Sequence, residues 1–150
     1  MEIERKFAVK RFPEGLENYP YTEMEQAYLS VDPIVRVRQD GDAFYLTYKG
    51  PGMLSREEYN LPLNESSYRH LKEKRDGRVV KKRRYRIPFG PYTIELDVFH
   101  GAHEGLVMAE VEFPTVEEAL AFTPPDWFGE EVTYDRRYHN SYLALNGFSC

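Results

Sequence analysis

The chain has 150 residues, of which 41% are hydrophobic and 30% are charged, and this predicts one folded domain over residues 1–150. Its formal net charge of −5 argues against a general nucleic-acid-binding protein, which needs a basic face. Since no segment reaches the roughly 20 apolar residues of a membrane-spanning helix and the first residues lack the apolar core of a secretory signal, we expect a cytoplasmic protein without a membrane partner.

Short segments of alternating apolar and polar residues predict eight β-strands. In chain order they are 2–9, 23–30, 34–39, 43–49, 56–63, 79–87, 92–99 and 106–113. Turn signals such as Asp40-Gly41-Asp42 separate neighbouring strands. Helix signals are fewer, and they fall at 65–75, 115–122 and 136–147. The pattern indicates an α+β fold dominated by an antiparallel sheet.

Charged residues recur at every second position in most of these strands. Successive side chains of a strand point to opposite faces, so these residues share one face and leave the other largely apolar. The basic positions are Lys6, Arg36, Arg38, Lys49, Arg56, Lys82, Arg84 and Arg86. The acidic positions are Glu2, Glu4, Glu58, Glu95, Asp97, Glu110 and Glu112.

Two interpretations fit this pattern. For any single strand, the charged face is most simply the solvent face of a half-buried sheet. Taken together, however, acidic pairs such as Glu110 and Glu112 are unfavourable in strands and repel one another on a shared face. If the charged faces instead look inward, the strands form an eight-stranded antiparallel barrel with helices packed outside. Its charged lumen would be wide enough for one small ligand.

The charges in such a lumen suggest a metal-bound polyphosphate as the ligand. Clustered carboxylates in a confined space require a divalent cation or protonation. Clustered arginines and lysines require a multivalent anion, and the forked guanidinium group matches phosphate oxygens. Mg²⁺ prefers oxygen ligands and needs neither histidine nor cysteine. Accordingly, we expect the four histidines, His70, His100, His103 and His139, on the surface or in loops, and Cys150 as a free thiol.

These residues resemble the CYTH family, the triphosphate tunnel metalloenzymes. The segment 2–6, Glu-Ile-Glu-Arg-Lys, is similar to the Glu-x-Glu-x-Lys signature of that family. The resemblance continues in the same order through 36–38, 47–49, 56–58, 82–85, 95–97, 110–112 and 129–140. It implies an eight-stranded tunnel around a triphosphate and a single CYTH domain, most similar to short bacterial inorganic triphosphatases. Since family members are often homodimers, it also allows a homodimer.

The resemblance implies roles for individual residues. Lys82 is similar in position to a lysine proposed to activate water, with a metal-held water as the competing nucleophile. Tyr28 resembles a tyrosine associated with tunnel closure, although a packed strand aromatic is an equal alternative. Carboxylates that would bind Mg²⁺ or Mn²⁺ are Glu2, Glu4, Glu58, Glu95, Asp97, Glu110 and Glu112. Phosphate-binding residues would be Lys6, Arg36, Arg38, Lys49, Arg56, Arg84 and Arg137.

The function expected from this combination is divalent-metal-dependent hydrolysis of inorganic triphosphate to pyrophosphate and phosphate. An alternative enzyme is a class IV adenylyl cyclase, or a triphosphatase acting on nucleoside or thiamine triphosphates. A non-enzymatic alternative is a polyphosphate- or nucleotide-binding module. The large number of carboxylates argues against the last alternative, because binding alone does not require them.

Overall fold

The computed structural model of the protein describes residues 1–147, and Cys150 lies outside them. The described part contains ten strands: β1 (Glu2–Val9), β2 (Tyr21–Val31), β3 (Ile34–Asp40), β4 (Ala43–Lys49), β5 (Ser55–Arg56), β6 (Glu58–Leu63), β7 (Asp76–Phe89), β8 (Tyr92–His100), β9 (Val107–Glu112) and β10 (Phe128–Glu131). The helices are α1 (Glu65–Lys72), α2 (Val116–Ala121) and α3 (Asn140–Asn146). None of the helices within residues 1–147 is long and apolar enough to cross a membrane.

All strand pairs are antiparallel, and the sheet runs in the order β10-β1-β9-β8-β7-β2-β3-β4-β6. The two-residue strand β5 leaves this path and pairs with β1, through Glu2 opposite Arg56 and Ile3 opposite Ser55. Because β6 follows β5 after one residue, the segment 55–63 contacts both β1 and β4. The α+β class and the antiparallel sheet are confirmed, but the sheet has ten strands and is not closed by one continuous ladder.

Three parts of the predicted secondary structure differ from the structure. The predicted strand 56–63 is divided at Glu57 into β5 and β6, which pair with different strands. The four-residue strand β10 was missed, because Phe-Gly-Glu-Glu has little strand propensity and forms only against β1. The predicted helix 136–147 begins as a 3₁₀ turn and is interrupted at His139, whose backbone is extended before α3.

The outward face of the sheet is apolar and is covered by α1 and α2. Helix α1 places Tyr68 against Ala27 and Val37, and α2 contributes Ala119 to a larger cluster on β1, β8 and β9. Helix α3 packs on the lumen side instead, because its Leu143 meets Val80, Phe99 and Met108, which share a face with the charged residues of β7, β8 and β9. Side chains cap the N-termini of α1 and α2. Asn64 accepts the backbone N–H of Ser67 at 2.7 Å, and Thr115 accepts that of Glu118 at 3.1 Å.

His103 helps to fix α3 on the sheet. It lies in the turn between β8 and β9, within the expected choice of surface or loop, but it is 1% exposed. Its Nε2 lies 2.6 Å from the carbonyl oxygen of Leu143. Since that oxygen can only accept, Nε2 carries the proton and donates it. The ring also packs edge-on against Phe99, so a histidine that is not needed as a metal ligand can still be buried.

Gly77 at the start of β7 allows the close approach of α3. Its φ is +70°, and a Cβ there would lie 2.3 Å from the carbonyl oxygen of Ala144. Gly90 in the β7–β8 turn has a similar φ of +59°, but an added Cβ would meet nothing within 4 Å. Comparison of the two glycines therefore separates the cost of backbone strain from the cost of contact with α3.

We expect Gly77→Ala to destabilise the protein much more than Gly90→Ala. Both substitutions cost about 1–2 kcal/mol for a left-handed backbone, and Gly77→Ala costs about 1–3 kcal/mol more for overpacking against α3. Urea unfolding of the two variants measures this difference. Equal losses of the free energy of unfolding would contradict the close packing of α3 on β7.

Candidate functional site

The charged face of the sheet encloses a cavity of ≈ 130 Å³. Alternation along each strand directs the charged side chains into it, as the sequence pattern predicted. The predicted site residues that line the cavity are Glu2, Glu4, Lys6, Tyr28, Arg36, Arg38, Lys49, Arg56, Glu58, Lys82, Arg84, Glu95, Glu110 and Glu112. The interpretation that these faces look into bulk solvent is therefore excluded.

Three carboxylates form an acidic cluster in the lumen. One oxygen each from Glu2, Glu4 and Glu112 lies within 4.8 Å of the other two. The strand register produces this arrangement, since Glu4 on β1 lies opposite Glu112 on β9. Burial and repulsion from Glu110 raise the pKa of Glu4 to about 7. A set of mutually repelling oxygen ligands fits a hard divalent cation.

Glu112 lies at the exposed rim of this cluster. Loss of hydration and repulsion from Glu95 and Glu2 raise its pKa to about 7. Among residues 1–147, the other four predicted metal ligands lie outside the acidic cluster. Each of them is instead paired with a lysine or arginine; they are Glu58, Glu95, Asp97 and Glu110.

Glu2 connects the acidic cluster to two cations. Its Oε1 lies 3.0 Å from Nζ of Lys49 and 3.3 Å from Nε of Arg56. Lys49 also lies 3.2 Å from Glu58. Burial opposes ionisation of Glu2, but the Lys49 ammonium group lowers its pKa to about 2. Glu2 is therefore ionised at neutral pH.

A second ion-pair group is centred on Lys6. Its Nζ lies 3.4 Å from Glu4 Oε1 and 3.2 Å from Glu110 Oε1. Although burial favours the neutral amine, Glu110 and Glu4 raise the pKa of Lys6. Lys6 is therefore a permanent cation between two carboxylates.

A third group joins Lys82 and Arg84 through Asp97. The Arg84 guanidinium group holds both oxygens of Asp97, at 2.8 and 2.9 Å. Lys82 Nζ lies 2.9 Å from Oδ2 of the same carboxylate. Burial, opposed by Asp97 and supported by Arg84, lowers the pKa of Lys82 to about 8. Asp97 has no exposed surface and lies behind the residues that line the cavity.

Arg36 and Arg38 differ from the other cations of the lumen. Within residues 1–147, neither makes a salt bridge, and the Nε atom of each is buried without a hydrogen-bond partner. Burial and repulsion from Arg36 lower the pKa of Arg38 to about 10. Buried guanidinium groups without carboxylate partners are costly unless an anion binds them.

Tyr28 lines the lumen and is 2% exposed. Its ring belongs to the hydrophobic cluster that includes Val80 and Leu143. Its hydroxyl accepts a hydrogen bond of 3.4 Å from Gln26, which also lines the cavity. These contacts favour a packed strand aromatic with a polar tip in the lumen, and its role in tunnel closure stays a prediction.

Arg137 does not join the site, in contrast to the prediction. Its side chain is 72% exposed and pairs with Asp135, with Nη2 2.6 Å from Oδ2. Asp135 also accepts the backbone N–H of Arg137 in the 3₁₀ turn. This local pairing keeps the guanidinium group on the outer surface.

Arg86 was expected on the charged face and lines the cavity, where it donates to Thr22 Oγ1 at 2.7 Å.

Some lining residues were missed by the sequence prediction. Those without a periodic signal are His139, Asn140 and Ser141, which lie outside the strands. His139 was expected on the surface or in a loop, and it lies in a loop but is only 8% exposed.

A comparison with family models identifies the relationship. The model described as the CYTH domain matches residues 1–139. The chain belongs to the CYTH domain family. The resemblance predicted from the sequence is therefore confirmed, and the acidic cluster fits the divalent metal that this family implies.

Two characterised relatives resemble this CYTH domain over nearly its whole length. An inorganic triphosphatase of Nitrosomonas europaea is 45% identical, covering 97% of this chain and 97% of the relative. An inorganic triphosphatase of Acetivibrio thermocellus is 40% identical, covering 98% and 95%. A crystal structure of an inorganic triphosphatase superposes with a TM-score of 0.72 at 40% identity, covering 97% of this chain and 95% of the other.

The raised pKa values of Glu4 and Glu112 predict that this CYTH domain binds Mg²⁺ more weakly at low pH. Their protonated forms favour the metal-free folded protein below the ordinary value of 4.5, and this contribution is lost as the pH rises through about 7. Metal binding must displace those protons. Isothermal titration calorimetry should give an affinity about tenfold or more lower at about pH 5.5 than at about pH 8.

The variants Glu4→Gln and Glu112→Gln are the controls for this measurement. Each removes one titrating carboxylate, so the remaining pH dependence of Mg²⁺ affinity should be shallower than in the unaltered protein. An affinity that is the same at both pH values would show that the cluster does not bind the metal.

Proposed function

We propose that this CYTH domain is a divalent-metal-dependent inorganic triphosphatase, which hydrolyses tripolyphosphate to pyrophosphate and phosphate. The observation that carries the proposal concerns Arg36 and Arg38, which lie in the same lumen as the acidic cluster. Within residues 1–147 neither forms a salt bridge, and their buried Nε atoms have no hydrogen-bond partner. The lumen therefore needs both an anion, which neutralises the arginines, and a cation, which neutralises the carboxylates. Two relatives named inorganic triphosphatase support this choice.

The cations of the lumen would bind the phosphate groups. Arg36 and Arg38 have donors without partners and would bind phosphate oxygens directly. The remaining cations exchange part of their present carboxylate contacts for phosphate; they are Lys6, Lys49, Arg56 and Arg84. Asp97 holds Arg84 and Lys82 in position from behind, which fits its two short ion pairs better than metal binding.

The acidic cluster of Glu2, Glu4 and Glu112 would hold Mg²⁺ or Mn²⁺. When bound, the metal ion would neutralise charge on the phosphate oxygens. Water attacks the terminal phosphorus in line with the departing pyrophosphate, and the surrounding arginines and lysines stabilise the negative charge that develops. Lys82 is the candidate base, because its pKa of about 8 leaves part of it as free amine near neutral pH.

The size of the lumen favours a small inorganic substrate over a nucleotide. A cavity of ≈ 130 Å³ lined almost entirely by polar and charged groups offers little apolar surface to a base or a thiazole ring. A homodimer and a cytoplasmic location stay predictions from the sequence.

Phosphate release from tripolyphosphate, ATP and thiamine triphosphate tests the proposed function. We expect tripolyphosphate to give the highest kcat/KM with Mg²⁺ or Mn²⁺, and chelation by EDTA to abolish release. Cyclic AMP should be measured in the same ATP reactions. Formation of cyclic AMP with tripolyphosphate left intact would identify a cyclase, and tight binding of tripolyphosphate without turnover would identify a binding module.

Substitution of Lys82 tests whether this residue acts as a base or only binds phosphate. We expect Lys82→Ala to lower kcat by about 10²–10⁴-fold with a much smaller change in the Kd of tripolyphosphate. Lys82→Arg is the matched control, because it keeps the charge but cannot lose its proton. If Lys82 is the base, kcat should rise with pH through about 8 in the unaltered protein.

Recovery of kcat in Lys82→Arg would contradict the base role and leave an electrostatic one. Equal losses of kcat and of binding affinity in Lys82→Ala would lead to the same conclusion.

A further inference from the structure

Uncharged side chains line the lumen where α3 begins. The chain that leads there from β10 is fixed to β1, since Val132 N donates to Lys6 O at 2.8 Å and Lys6 N donates to Thr133 Oγ1 at 2.9 Å. Farther along the chain, His139 and Asn140 line the cavity. Most of the other lining residues are charged, so this wall of the lumen is chemically distinct.

His139 is held as a neutral ring with one defined tautomer. Its Nε2 lies 2.9 Å from the carbonyl oxygen of Thr133, which can only accept, so Nε2 carries the proton. Burial and the nearby Lys6 ammonium group lower the pKa of His139 to about 4, which keeps the ring neutral at physiological pH. Its Nδ1 therefore presents a lone pair, and it has no hydrogen-bond partner within residues 1–147.

Asn140 provides a second neutral acceptor beside this ring. Its side chain is buried, with a residue exposure of 7%, and its Oδ1 has no hydrogen-bond partner within the described chain. A buried amide oxygen without a partner is unfavourable unless a ligand or water donates to it. Asn140 and His139 are neighbours in the chain, both line the lumen, and each has an acceptor without a partner within residues 1–147.

These two acceptors are not suited to ionised phosphate oxygens. Ionised phosphate oxygens have only lone pairs and cannot donate to Nδ1 or Oδ1. Water can donate to both, and its oxygen then has both lone pairs free. Lys6 is attached to the same wall and carries a positive charge that attracts a terminal phosphate group.

We propose that His139 and Asn140 hold a water molecule by its two hydrogens and present its oxygen to the terminal phosphorus of bound tripolyphosphate. This inference rests on the proposed triphosphatase function and assigns the residues that position the nucleophile. The water oxygen bonds to the terminal phosphorus while the bond from that phosphorus to the bridging oxygen breaks. The electron pair leaves on pyrophosphate. One proton stays on the phosphate product and the other passes to solvent. Because both hydrogens of the held water point to His139 and Asn140, Lys82 receives a proton only through solvent.

Two substitutions of His139 separate water positioning from structural support. His139→Asn places an amide oxygen near the position of Nδ1 but loses the bond to Thr133. His139→Gln reaches the position of Nε2, keeps the bond to Thr133 and lacks the acceptor. For tripolyphosphate we expect His139→Gln to lower kcat by about 10- to 100-fold with KM changed less than about threefold, and His139→Asn to retain kcat within about fivefold.

Thermal unfolding should rank the same two variants in the opposite order, because only His139→Asn loses the buried hydrogen bond to Thr133. His103→Gln is a matched control, since His103 is also buried and bonded to a backbone carbonyl but does not line the cavity. We expect its kcat to stay within about twofold of the unaltered protein. Retained kcat in His139→Gln together with lost kcat in His139→Asn would overturn the proposal.

A double-mutant cycle with Asn140→Ala tests whether both residues hold the same water. If they do, the kcat of the double variant should be about as low as that of the more impaired single variant, instead of showing the product of two losses. Fully multiplied losses would overturn the shared water. Absence of tripolyphosphate hydrolysis by the unaltered protein would overturn the proposed function itself, whereas normal hydrolysis by both single variants would overturn only this inference.

Discussion

The structure depends on the mutual neutralisation of charges enclosed by a sheet. Taking an ion out of water costs several kcal/mol even after relaxation, and most buried charges of the lumen are paired with an opposite charge. Strand register provides these partners, as Lys6 on β1 lies opposite Glu110 on β9 and Arg84 on β7 lies opposite Asp97 on β8. Breaking one such pair leaves an uncompensated charge and costs about 3–5 kcal/mol. The same ion pairs therefore both stabilise the fold and arrange the site.

The inward charges reverse the usual arrangement of a small barrel. Because the polar face of the sheet looks into the lumen, the apolar face looks outward and requires the cover of α1 and α2. Helix α3 packs on the lumen side of the sheet, where Leu143 meets Val80 and Phe99. The residues at the beginning of α3 accordingly form an uncharged part of the lumen.

The lumen combines three kinds of group that a triphosphate hydrolase requires. The carboxylates of Glu2, Glu4 and Glu112 are close enough to share one cation, and Arg36 and Arg38 have donors without partners. The neutral pair His139 and Asn140 differs from both, because it is uncharged and offers hydrogen-bond acceptors to a ligand that donates. Ionised groups bind the substrate in this view, and the uncharged part orients the water.

The sequence by itself determined which strand residues face the lumen. Alternation at period two placed Glu4, Lys6 and Arg38 on one face, and the recurrence of like charges identified that face as enclosed. Only the tertiary structure decided which carboxylates form the acidic cluster and which pair with a lysine or arginine. Asp97 fits the same periodic pattern as Glu95, yet it lies behind the lining residues, held by Lys82 and Arg84. Local pattern fixes the face of a side chain, whereas distances between groups depend on strand register and curvature. Outside the strands no periodicity exists, so Arg137 was misplaced and His139 was missed.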